Sequence, residues 1–337
     1  MSEAEGEQAR GPRSAVRHVV VAADQVGQRL DKLLGQLLPG VPRSRIFRLI
    51  RRGEVRVNGR RAGPELRLAA GDALRLPPVR DSLIAADAPP RMPKALMEAV
   101  ERAIIHEDAR LLVLDKPAGL AVHGGSGLSF GVIEALRASR PSETLELAHR
   151  LDRDTSGCLI VARRGSALRV LHALMRDGAV QKSYLTLLAG RWNLGHKRVD
   201  APLRTDLRVG GERTVKVDAR GKEARTEFKL IEHFGSAASL VEALLHTGRT
   251  HQIRVHAAHC GHPVLGDTKY GDPARNEEFA ALGLKRMFLH AHTLGFAWPD
   301  GSEQSFSAPL PAELRALLDR LGTPRGARRA RAAQGSS

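Results

Sequence analysis

The sequence is poor in cysteine, in aromatic residues and in acidic residues. Its 337 residues include two cysteines, Cys158 and Cys260, which excludes a disulfide framework and a zinc site built on paired cysteines. Aromatic residues make up 4% of the chain and two of them are tyrosines, which argues against a broad surface for stacking several bases. We therefore expect reduced thiols and no large base-stacking platform.

Long hydrophobic runs are also missing. No segment approaches the ~18 consecutive apolar residues of a membrane-spanning helix. The first residues, MSEAEGEQARGPRSAVRH, lack the apolar segment of a secretory signal. These absences predict a cytoplasmic protein without a membrane partner.

Basic residues outnumber acidic ones, with 53 lysines and arginines against 37 aspartates and glutamates and a formal net charge of +16. This excess favours an extended polyanion as partner, and without a membrane segment it favours nucleic acid. Hydrophobic residues make up 42% of the chain. This fraction is enough for a sizeable core, and the chain length predicts two domains.

Composition divides the chain into five predicted parts. A polar leader covers residues 1–15 and an arginine-rich tail covers 322–337, and both are expected to be disordered. A small N-terminal domain covers 16–78, a linker 79–99 and a larger domain 100–321. The linker is predicted because PPVRDSLIAADAPPRMPKA contains five prolines and no sustained hydrophobic period.

The N-terminal domain has the pattern of two helices followed by strands. Leucines recur at helical spacing, at Leu30, Leu33, Leu34, Leu37 and Leu38. A second helix is predicted from Pro42 through RSRIFRLIRR to Gly53. The dipeptide Asn58-Gly59 predicts a hairpin turn, and LRLAAGDALRLP predicts two further strands.

Eight arginines lie between positions 43 and 61, opposed by Glu54 alone. A solvated helix face would normally mix charges of both signs, so we favour a surface that binds nucleic-acid phosphates. The arginines are Arg43, Arg45, Arg48, Arg51, Arg52, Arg56, Arg60 and Arg61.

The larger domain alternates strands with two main helical stretches and a later helix. Strands are predicted on both sides of the Lys-Pro-Ala-Gly turn in LLVLDKPAGLAVHGG, and at CLIVAR, KSYLTLLAG, ARTEFKLIEHF, ASLVEALLH and FLHAHTLGFAWP. Helices are predicted at LSFGVIEALRAS, SALRVLHALMRDG and THQIRVHAAHCG. Several strands follow one another with no helix between them, which predicts an α+β fold on a largely antiparallel mixed sheet.

The first candidate for chemistry is HRLDRDTSG, residues 149–157. Its second half suits a turn, but a turn does not require Asp152 beside arginines next to a core strand. A carboxylate held at a strand end near cations stays ionised and can act as a nucleophile or a base. A structural ion pair is the alternative.

The second candidate is HTGRTHQIRVHAAHCGHPVLGDTKYG, residues 246–271. If Arg249 and Arg254 are buried they need anionic partners, either a phosphate or Asp152, and Asp152 would join both motifs in one site. Five histidines raise the possibility of a metal, but we expect none, because thiolate pairs and a carboxylate at ligand spacing are missing. A third feature, Tyr184 in KSYLTLLAG, fits either packing or stacking on one extruded base.

Together and in this order, these motifs resemble the RluA-type pseudouridine synthases. HRLDRDTSG is similar to the catalytic loop of that family, KSYLTLLAG to its tyrosine strand and TGRTHQIRVHAAHCGHPVLGDTKYG to its third signature, and DKPAGLAVHGG and RMFLHAHTLGF also match. RSRIFRLIRRGEVRVNG resembles the RNA-binding domain named after ribosomal protein S4. The segment VHGGSGLSFGVIEALRASRP and the PPVR junction are similar to the C subtype. The resemblance covers about residues 16–321.

The resemblance implies an isomerase that flips selected uridines of 23S, large-subunit, ribosomal RNA out of the RNA and converts them to pseudouridine without a cofactor or a metal. It implies that Asp152 is the essential carboxylate, attacking C1′ or taking a proton from C2′, and that Arg254 pairs with it. It implies that Tyr184 packs on the uracil and that Arg150 fills the gap left by the flipped nucleotide. We also expect Arg249 to contact RNA and the protein to be a monomer.

Three alternative functions stay open. A family member acting on transfer RNA is disfavoured by the separate basic N-terminal domain, which suits a large folded RNA. A non-catalytic RNA-binding assembly factor would be expected to have a damaged RLD sequence or no tyrosine. A metal-dependent RNA hydrolase that used the histidines would lose its activity in chelator.

Overall fold

The computed structural model describes residues 16–38, 41, 43–78, 92–124, 130–207 and 213–322. The chain forms two compact units that divide after residue 91. The predicted leader 1–15, residues 79–91 of the predicted linker and residues 323–337 of the predicted tail lie outside the described residues.

The N-terminal unit packs two helices with a small sheet. The predicted helices are confirmed as α1, Leu30–Leu37, and α2, Arg43–Arg52. Strands β1, Arg17–Val20, β2, Arg56–Val57, and β3, Ala73–Leu76, pair antiparallel in the order β1-β3-β2. The core between them is aliphatic and includes Leu30, Leu33, Leu34, Ile46, Ile50 and Leu74. Pro42, the predicted start of the second helix, lies outside the described residues.

The predicted hairpin turn at Asn58-Gly59 is confirmed. Both residues have positive φ, 51° and 75°, and the backbone groups of Val57 and Arg60 exchange hydrogen bonds of 3.0 and 2.9 Å. These are the features of a two-residue turn that matches the twist of the strands it joins.

The two strands predicted in LRLAAGDALRLP are correct only in part. Ala73–Leu76 is strand β3, whereas Leu68 donates its N–H to the carbonyl of Gln28 and accepts the N–H of Gly27. The earlier segment therefore pairs with the residues that precede α1, and its alternating apolar pattern serves the same core without forming a strand.

The larger unit is built on a ten-stranded sheet. Its strands are β4, Ile104–Glu107; β5, Leu111–Lys116; β6, Glu146–Leu147; β7, Ser156–Ala162; β8, Gln181–Ala189; β9, Lys197–Asp200; β12, Arg225–Phe234; β13, Ala238–Leu245; β14, Leu289–Ala297; and β15, Glu303–Ser307. Strands β10, Leu203–Leu207, and β11, Arg213–Val217, form a separate hairpin.

The sheet order is β4-β5-β7-β14-β8-β13-β12-β9, with β6 beside β7 and β15 beside β14. Within the described residues, β7 and β14 form the single parallel pair, and the other neighbours are antiparallel. The predicted α+β class and the largely antiparallel mixed sheet are confirmed.

Six helices accompany the sheet in the described part of this unit. The predicted helices are confirmed as α4, Val132–Ser139, α5, Gly165–Arg176, and α6, Gln252–His259. The sequence analysis missed α3, Lys94–Arg102, α7, Pro273–Ala281, and α8, Ala312–Gly322.

Two predictions need correction here. The predicted linker ends too late, because residues 94–99 lie in α3, whose Val100 is fully buried in the core of the larger unit. The strand predicted after the Lys-Pro-Ala-Gly turn is absent from its described residues 120–124, and in this segment the carbonyls of Pro117 and Leu120 accept hydrogen bonds from the Lys116 side chain.

Strand β7 is the centre of the larger unit. All seven of its residues are buried, and alternate side chains enter two different clusters because successive side chains of a strand point to opposite faces. Leu159 and Val161 pack in the cluster that includes α4, while Cys158 and Ile160 pack in the cluster that includes α5. Helices on both faces thus fix the position of β7 and of the loop that enters it.

Candidate active site

The Asp152 loop, residues 148–155, leads into the buried start of β7. Thr155 closes a turn by donating its N–H to the carbonyl of Asp152 at 3.2 Å. Gly157 follows with a φ of 108°, and a Cβ at this position would overlap the carbonyl of Ala291 on β14. Glycine is therefore required where β7 approaches β14, and this approach fixes the end of the loop.

The side chain of Lys116 holds the Asp152 loop through hydrogen bonds to backbone carbonyls. Lys116 ends β5 and is fully buried. Its ammonium donates to the carbonyls of Pro117, Leu120 and Arg153 at 2.8, 2.8 and 3.0 Å, and burial lowers its pKa to about 7. Because Arg153 follows Asp152 directly, Lys116 joins the Lys-Pro-Ala-Gly turn to the Asp152 loop.

His149 holds the other end of the same loop. Its Nε2 accepts the backbone N–H of Ile160 on β7 at 3.0 Å. Burial lowers the pKa of His149 to about 3, so the ring is neutral near pH 7 and keeps the lone pair that this bond requires.

Asp152 and Arg254 meet at the surface of the larger unit, which brings the two sequence motifs together. Arg254 Nη1 lies 3.1 Å from Asp152 Oδ2. The same guanidinium donates from Nε and Nη2 to both oxygens of Asp267 at 2.7 and 2.8 Å. Arg254 is therefore held by Asp267 in a bidentate pair, the geometry that orients a guanidinium most firmly.

Charge and burial act in opposite directions on the pKa values of Asp267 and Arg254. Burial tends to raise the pKa of Asp267, but hydrogen bonds and the charge of Arg254 bring it below its usual value. Burial tends to lower the pKa of Arg254, and the charges and hydrogen bonds of Asp267 and Asp152 raise it above its usual value. Both groups are ionised at neutral pH, and Arg254 offers a permanent positive charge to Asp152.

Tyr184 lies on β8 between Ala243 of β13 and Ala291 of β14. Its side chain is buried, with 7% of the residue exposed, and lines the same cavity as Asp152. Burial and the charge of Asp152 raise its pKa. The phenol keeps its proton at neutral pH and is suited to packing against a base.

These side chains line a cavity of about 410 Å³, within the ~300–1,000 Å³ typical of small-molecule sites. Asp152, Tyr184 and Arg254 lie in its wall together with Thr155 and Ile253. Its other lining residues include the basic side chains Arg150, His172, Arg176, Lys182 and Arg249. The cavity therefore combines one carboxylate, a tyrosine and several cations.

The sequence analysis missed Lys116, His149 and Asp267 as parts of the site. Asp267 lies thirteen residues after Arg254, beyond α6, and only the tertiary fold shows that these two are partners. A lysine before proline at the end of an apolar strand was a signal for Lys116, because a buried ammonium needs several acceptors.

Sequence comparison with known proteins identifies the family of each unit. The RNA pseudouridylate synthase family matches residues 110–259, and the S4 domain matches residues 28–74. The ribosomal large subunit pseudouridine synthase C of Salmonella typhi is 48% identical over 312 residues, which is 91% of this chain and 97% of the relative. The protein of the same name from Escherichia coli K12 is 48% identical over 316 residues, 92% of this chain and 98% of the relative.

The chain belongs to the RNA pseudouridylate synthase family.

Solved structures agree with this assignment. Human RNA pseudouridylate synthase domain containing 4 is 27% identical with a TM-score of 0.56, and the match covers 67% of this chain and 95% of that one. Human RNA pseudouridylate synthase domain containing 1 is 27% identical with a TM-score of 0.53, over 66% and 95% of the two chains.

The arginines of the S4 domain of this pseudouridylate synthase differ in exposure. Arg48, Arg51, Arg52 and Arg56 are exposed. Arg45 is half-buried, and its Nε is enclosed without a hydrogen-bond partner among the described residues. The side chain of Arg43 lies outside the described part of the chain. Arg60 and Arg61 are exposed as well, so six of the eight predicted arginines are accessible to solvent.

At the rim of the pseudouridylate synthase cavity, Arg150 and Arg249 are exposed. Arg249 donates from Nε to the carbonyl of Glu223 at 2.9 Å. Arg249 would need an anionic partner only if it were buried, and it is exposed. Arg254 is largely buried and has two carboxylate partners, Asp152 and Asp267.

The histidines of this pseudouridylate synthase's third signature make separate contacts. His256 bonds to Thr226 and Ala201, His262 to the carbonyl of Ala189, and His246 lies 3.0 Å from Glu227. In the described ranges, no three histidine, cysteine or acidic side chains are grouped as a metal site would require. No helix there is long and apolar enough to span a bilayer.

Proposed function

We propose that this chain converts selected uridines of 23S, large-subunit, ribosomal RNA to pseudouridine, with Asp152 as the essential carboxylate. The observation that carries the proposal is the ion pair of Asp152 with Arg254 in a cavity whose wall also contains Tyr184. The names of the relatives support the choice of RNA.

The reaction matches what these side chains can do. Isomerisation breaks the bond between C1′ and N1, turns the uracil, joins C1′ to C5 and moves one proton from C5 to N1. Neither electrons nor a chemical group enter or leave, so the residues must supply an ionised carboxylate, a surface for the base and exclusion of water. Asp152 supplies the carboxylate and Tyr184 the surface for the base, and we expect the bound RNA to exclude water from the cavity.

Asp152 has two possible roles, and both require its negative charge. As a nucleophile it attacks C1′ when N1 leaves. As a base it takes the proton on C2′ and a glycal forms. Arg254 favours the ionised carboxylate in either case, so the pair is expected to matter whichever route is used.

The uridine must leave the RNA stack to reach Asp152. We propose that Tyr184 packs on the flipped uracil, that Arg150 occupies the gap in the RNA and that Arg249 binds a phosphate at the rim. The exposure of both arginines supports these roles. The arginines of the S4 domain then bind the RNA backbone and take no part in the chemistry.

We propose that the enzyme acts in the cytoplasm as a monomer and needs no metal. The reaction contains no step for which a Lewis acid is required, because the leaving uracil spreads its charge over two carbonyl groups. Activity is therefore expected to be unchanged in chelator, and a loss of activity would favour the hydrolase alternative.

The decisive experiment maps pseudouridines in cells that lack the gene, by chemical adduct formation and primer extension. We expect specific sites of 23S ribosomal RNA to lose the modification and to regain it with the wild-type gene but not with Asp152→Asn. Loss of the modification from transfer RNA alone would mean that transfer RNA, and not ribosomal RNA, is the substrate. A complete set of modified sites in the deletion strain would contradict the proposal.

A further inference from the structure

His251 has a strained backbone beside Asp152. It precedes α6 and has a φ of 54° and a ψ of 21°, in the left-handed region that residues other than glycine rarely adopt. Asn58, in its hairpin turn, is the other non-glycine residue with positive φ in the described part of the chain. Histidine adopts this conformation more readily than most residues other than glycine, but the conformation still costs energy, and such strain concentrates at functional positions.

A chain of hydrogen bonds fixes the ring of His251. Val215 of the β10–β11 hairpin donates its N–H to the hydroxyl of Tyr270 at 2.9 Å. The same hydroxyl lies 2.8 Å from Nδ1 of His251. Burial raises the pKa of Tyr270, so the phenol keeps its proton, and Nδ1 of His251 is the acceptor within reach. In a neutral ring that accepts at Nδ1, the proton is on Nε2.

This Nε2–H faces the carboxylate of Asp152. Nε2 lies 3.8 Å from Asp152 Oδ2, and the side chains of His251 and Asp152 are 16% and 19% exposed. Arg254 Nη1 approaches the same oxygen at 3.1 Å. Two donors therefore converge on Oδ2, and no hydrogen bond among the described side chains reaches Oδ1, which is the oxygen left for the substrate.

We propose that His251 is a positioning residue for Asp152, held by Tyr270 as the tautomer with its proton on Nε2, and that this N–H binds Oδ2 when RNA occupies the cavity. The inference rests on the proposed function. The 3.8 Å separation is longer than a hydrogen bond, and catalytic hydrogen bonds commonly tighten only in the complex with substrate. With Oδ2 held by two donors, Oδ1 is directed at the ribose.

The charges around His251 favour its neutral form. Burial lowers its pKa, as do the nearby charges of Arg254 and Lys269, while Asp152 and Asp267 act in the opposite direction. Protonation at low pH would place a proton on Nδ1 and break the bond from Tyr270. It would also create an imidazolium that pairs with Asp152 and weakens this carboxylate as a nucleophile or a base. The rate should therefore fall on the acidic side.

The test compares single-turnover rates and RNA affinities of variants across a pH series, with a fragment of 23S ribosomal RNA as substrate. His251→Asn tolerates positive φ, but its amide reaches only the position of Nδ1. We expect its rate to fall about 10- to 100-fold, the range for a lost hydrogen bond to a charged group, with RNA affinity unchanged. His251→Gln places an N–H near the position of Nε2, so it should recover part of this loss and show no acidic limb due to position 251.

Tyr270→Phe provides a second, independent measurement. Without the hydroxyl, the neutral ring loses a hydrogen bond and the acidic limb should move to higher pH, with a lower plateau rate because both tautomers become populated. His259→Asn, on the exposed last turn of α6, is the matched control and should behave as wild type.

A wild-type rate for His251→Asn, or an unchanged acidic limb for Tyr270→Phe, would overturn the role of His251. Failure of the wild-type protein to form pseudouridine would instead overturn the proposed function. The two outcomes are distinct because the first requires an active wild-type enzyme.

Discussion

At the scale of single residues, Asp267 keeps Arg254 in place when Asp152 is changed, so a substitution of Asp152 should affect catalysis without affecting folding. In Asp152→Asn the guanidinium of Arg254 keeps both bonds to Asp267, so we expect a folded protein that binds RNA and has lost turnover. Asp154→Asn is the matched control, because Asp154 is half-exposed in the same loop and should retain full activity. Single-turnover assays and RNA-binding titrations would check this. Activity of Asp152→Asn within tenfold of wild type would exclude the essential role.

Arg254→Ala is expected to damage the fold as well as the activity. The side chain of Asp267 is fully buried and would keep a charge without its cation, which costs roughly 3–5 kcal/mol in comparable buried pairs. Urea unfolding measures this loss. Arg198→Ala, which removes a half-exposed pair with Asp200, should have little effect on the free energy of unfolding. A similar loss in both variants would mean that Asp267 is stable without Arg254.

The pH dependence of stability should reflect the buried histidines. Burial lowers the pKa of His149 to about 3 and that of His290 to about 4, whereas in the unfolded chain both titrate near 6.5. Between these values the unfolded state binds more protons, so the free energy of unfolding falls as the pH drops below about 6.5, by up to about 1.4 kcal/mol per pH unit for each histidine. Urea unfolding from pH 7 to pH 5 should show a shallower decline for His149→Gln. The same slope in variant and wild type would contradict this account.

At the scale of elements, the close approach of β7 to β14 predicts that Gly157 cannot be replaced by a residue with a Cβ. Gly157→Ala would bring a Cβ into the carbonyl of Ala291 and force an alanine to a φ of 108°. We expect a clear loss of thermal stability and of activity, because β14 and the Asp152 loop must move. Gly165→Ala, at the start of α5, would place its Cβ in ordinary contact with the flexible Arg169 side chain, 3.8 Å away, and should be neutral or slightly stabilising. An unchanged melting temperature for Gly157→Ala would show that the strands adjust without cost.

The elements that could be predicted from sequence are those with strong apolar patterns. The apolar run of β7 and the leucine stripe of α1 are direct consequences of burial. Helix α7 was missed because Phe279 is its only buried residue, and α3 because Pro93 continued the proline-rich stretch. Strands β10 and β11 were missed because ion pairs such as Arg204–Asp206 and Lys216–Asp206 replace an apolar alternation.

The candidate site was predictable to a similar degree. Asp152, Tyr184 and Arg254 stood out as residue types that ordinary turns and strands do not require, and the structure brings all three to one cavity. Asp267 and His251 could not be assigned in the same way. Their roles depend on which atoms meet across the fold, and no spacing along the chain encodes this.

At the scale of the whole molecule, the basic N-terminal unit and the cavity should make separable contributions. Changing Arg48, Arg51 and Arg52 together to alanine removes three exposed charges and should lower the slope of log K against log salt by up to ~2–3, since each phosphate contact contributes about 0.7–0.9. The rate on a saturating short RNA should be unchanged. Arg45, half-buried, is left in place to protect the fold.

Alanine substitution of three exposed basic residues elsewhere, Arg275, Lys285 and Arg315, is the matched control and should leave the salt slope unaltered. Equal slopes for the two triple variants would mean that the N-terminal arginines do not contact RNA, and that the affinity comes from other surfaces.

The three-residue arrangement of Asp152, Arg254 and Asp267 has a consequence for which part of the substrate can enter. The side chain of Asp267 is fully buried and balances the charge of Arg254, so Asp152 is the carboxylate that the cavity wall presents to the substrate. Cationic side chains such as Arg150 and Arg249 surround it at the mouth. Under the proposed function, we expect the exposed arginines to bind the anionic phosphate and the Asp152 carboxylate to stabilise the positive charge that develops at C1′ as the glycosidic bond breaks. The cavity would then distinguish the parts of one nucleotide by their charge before any bond is broken.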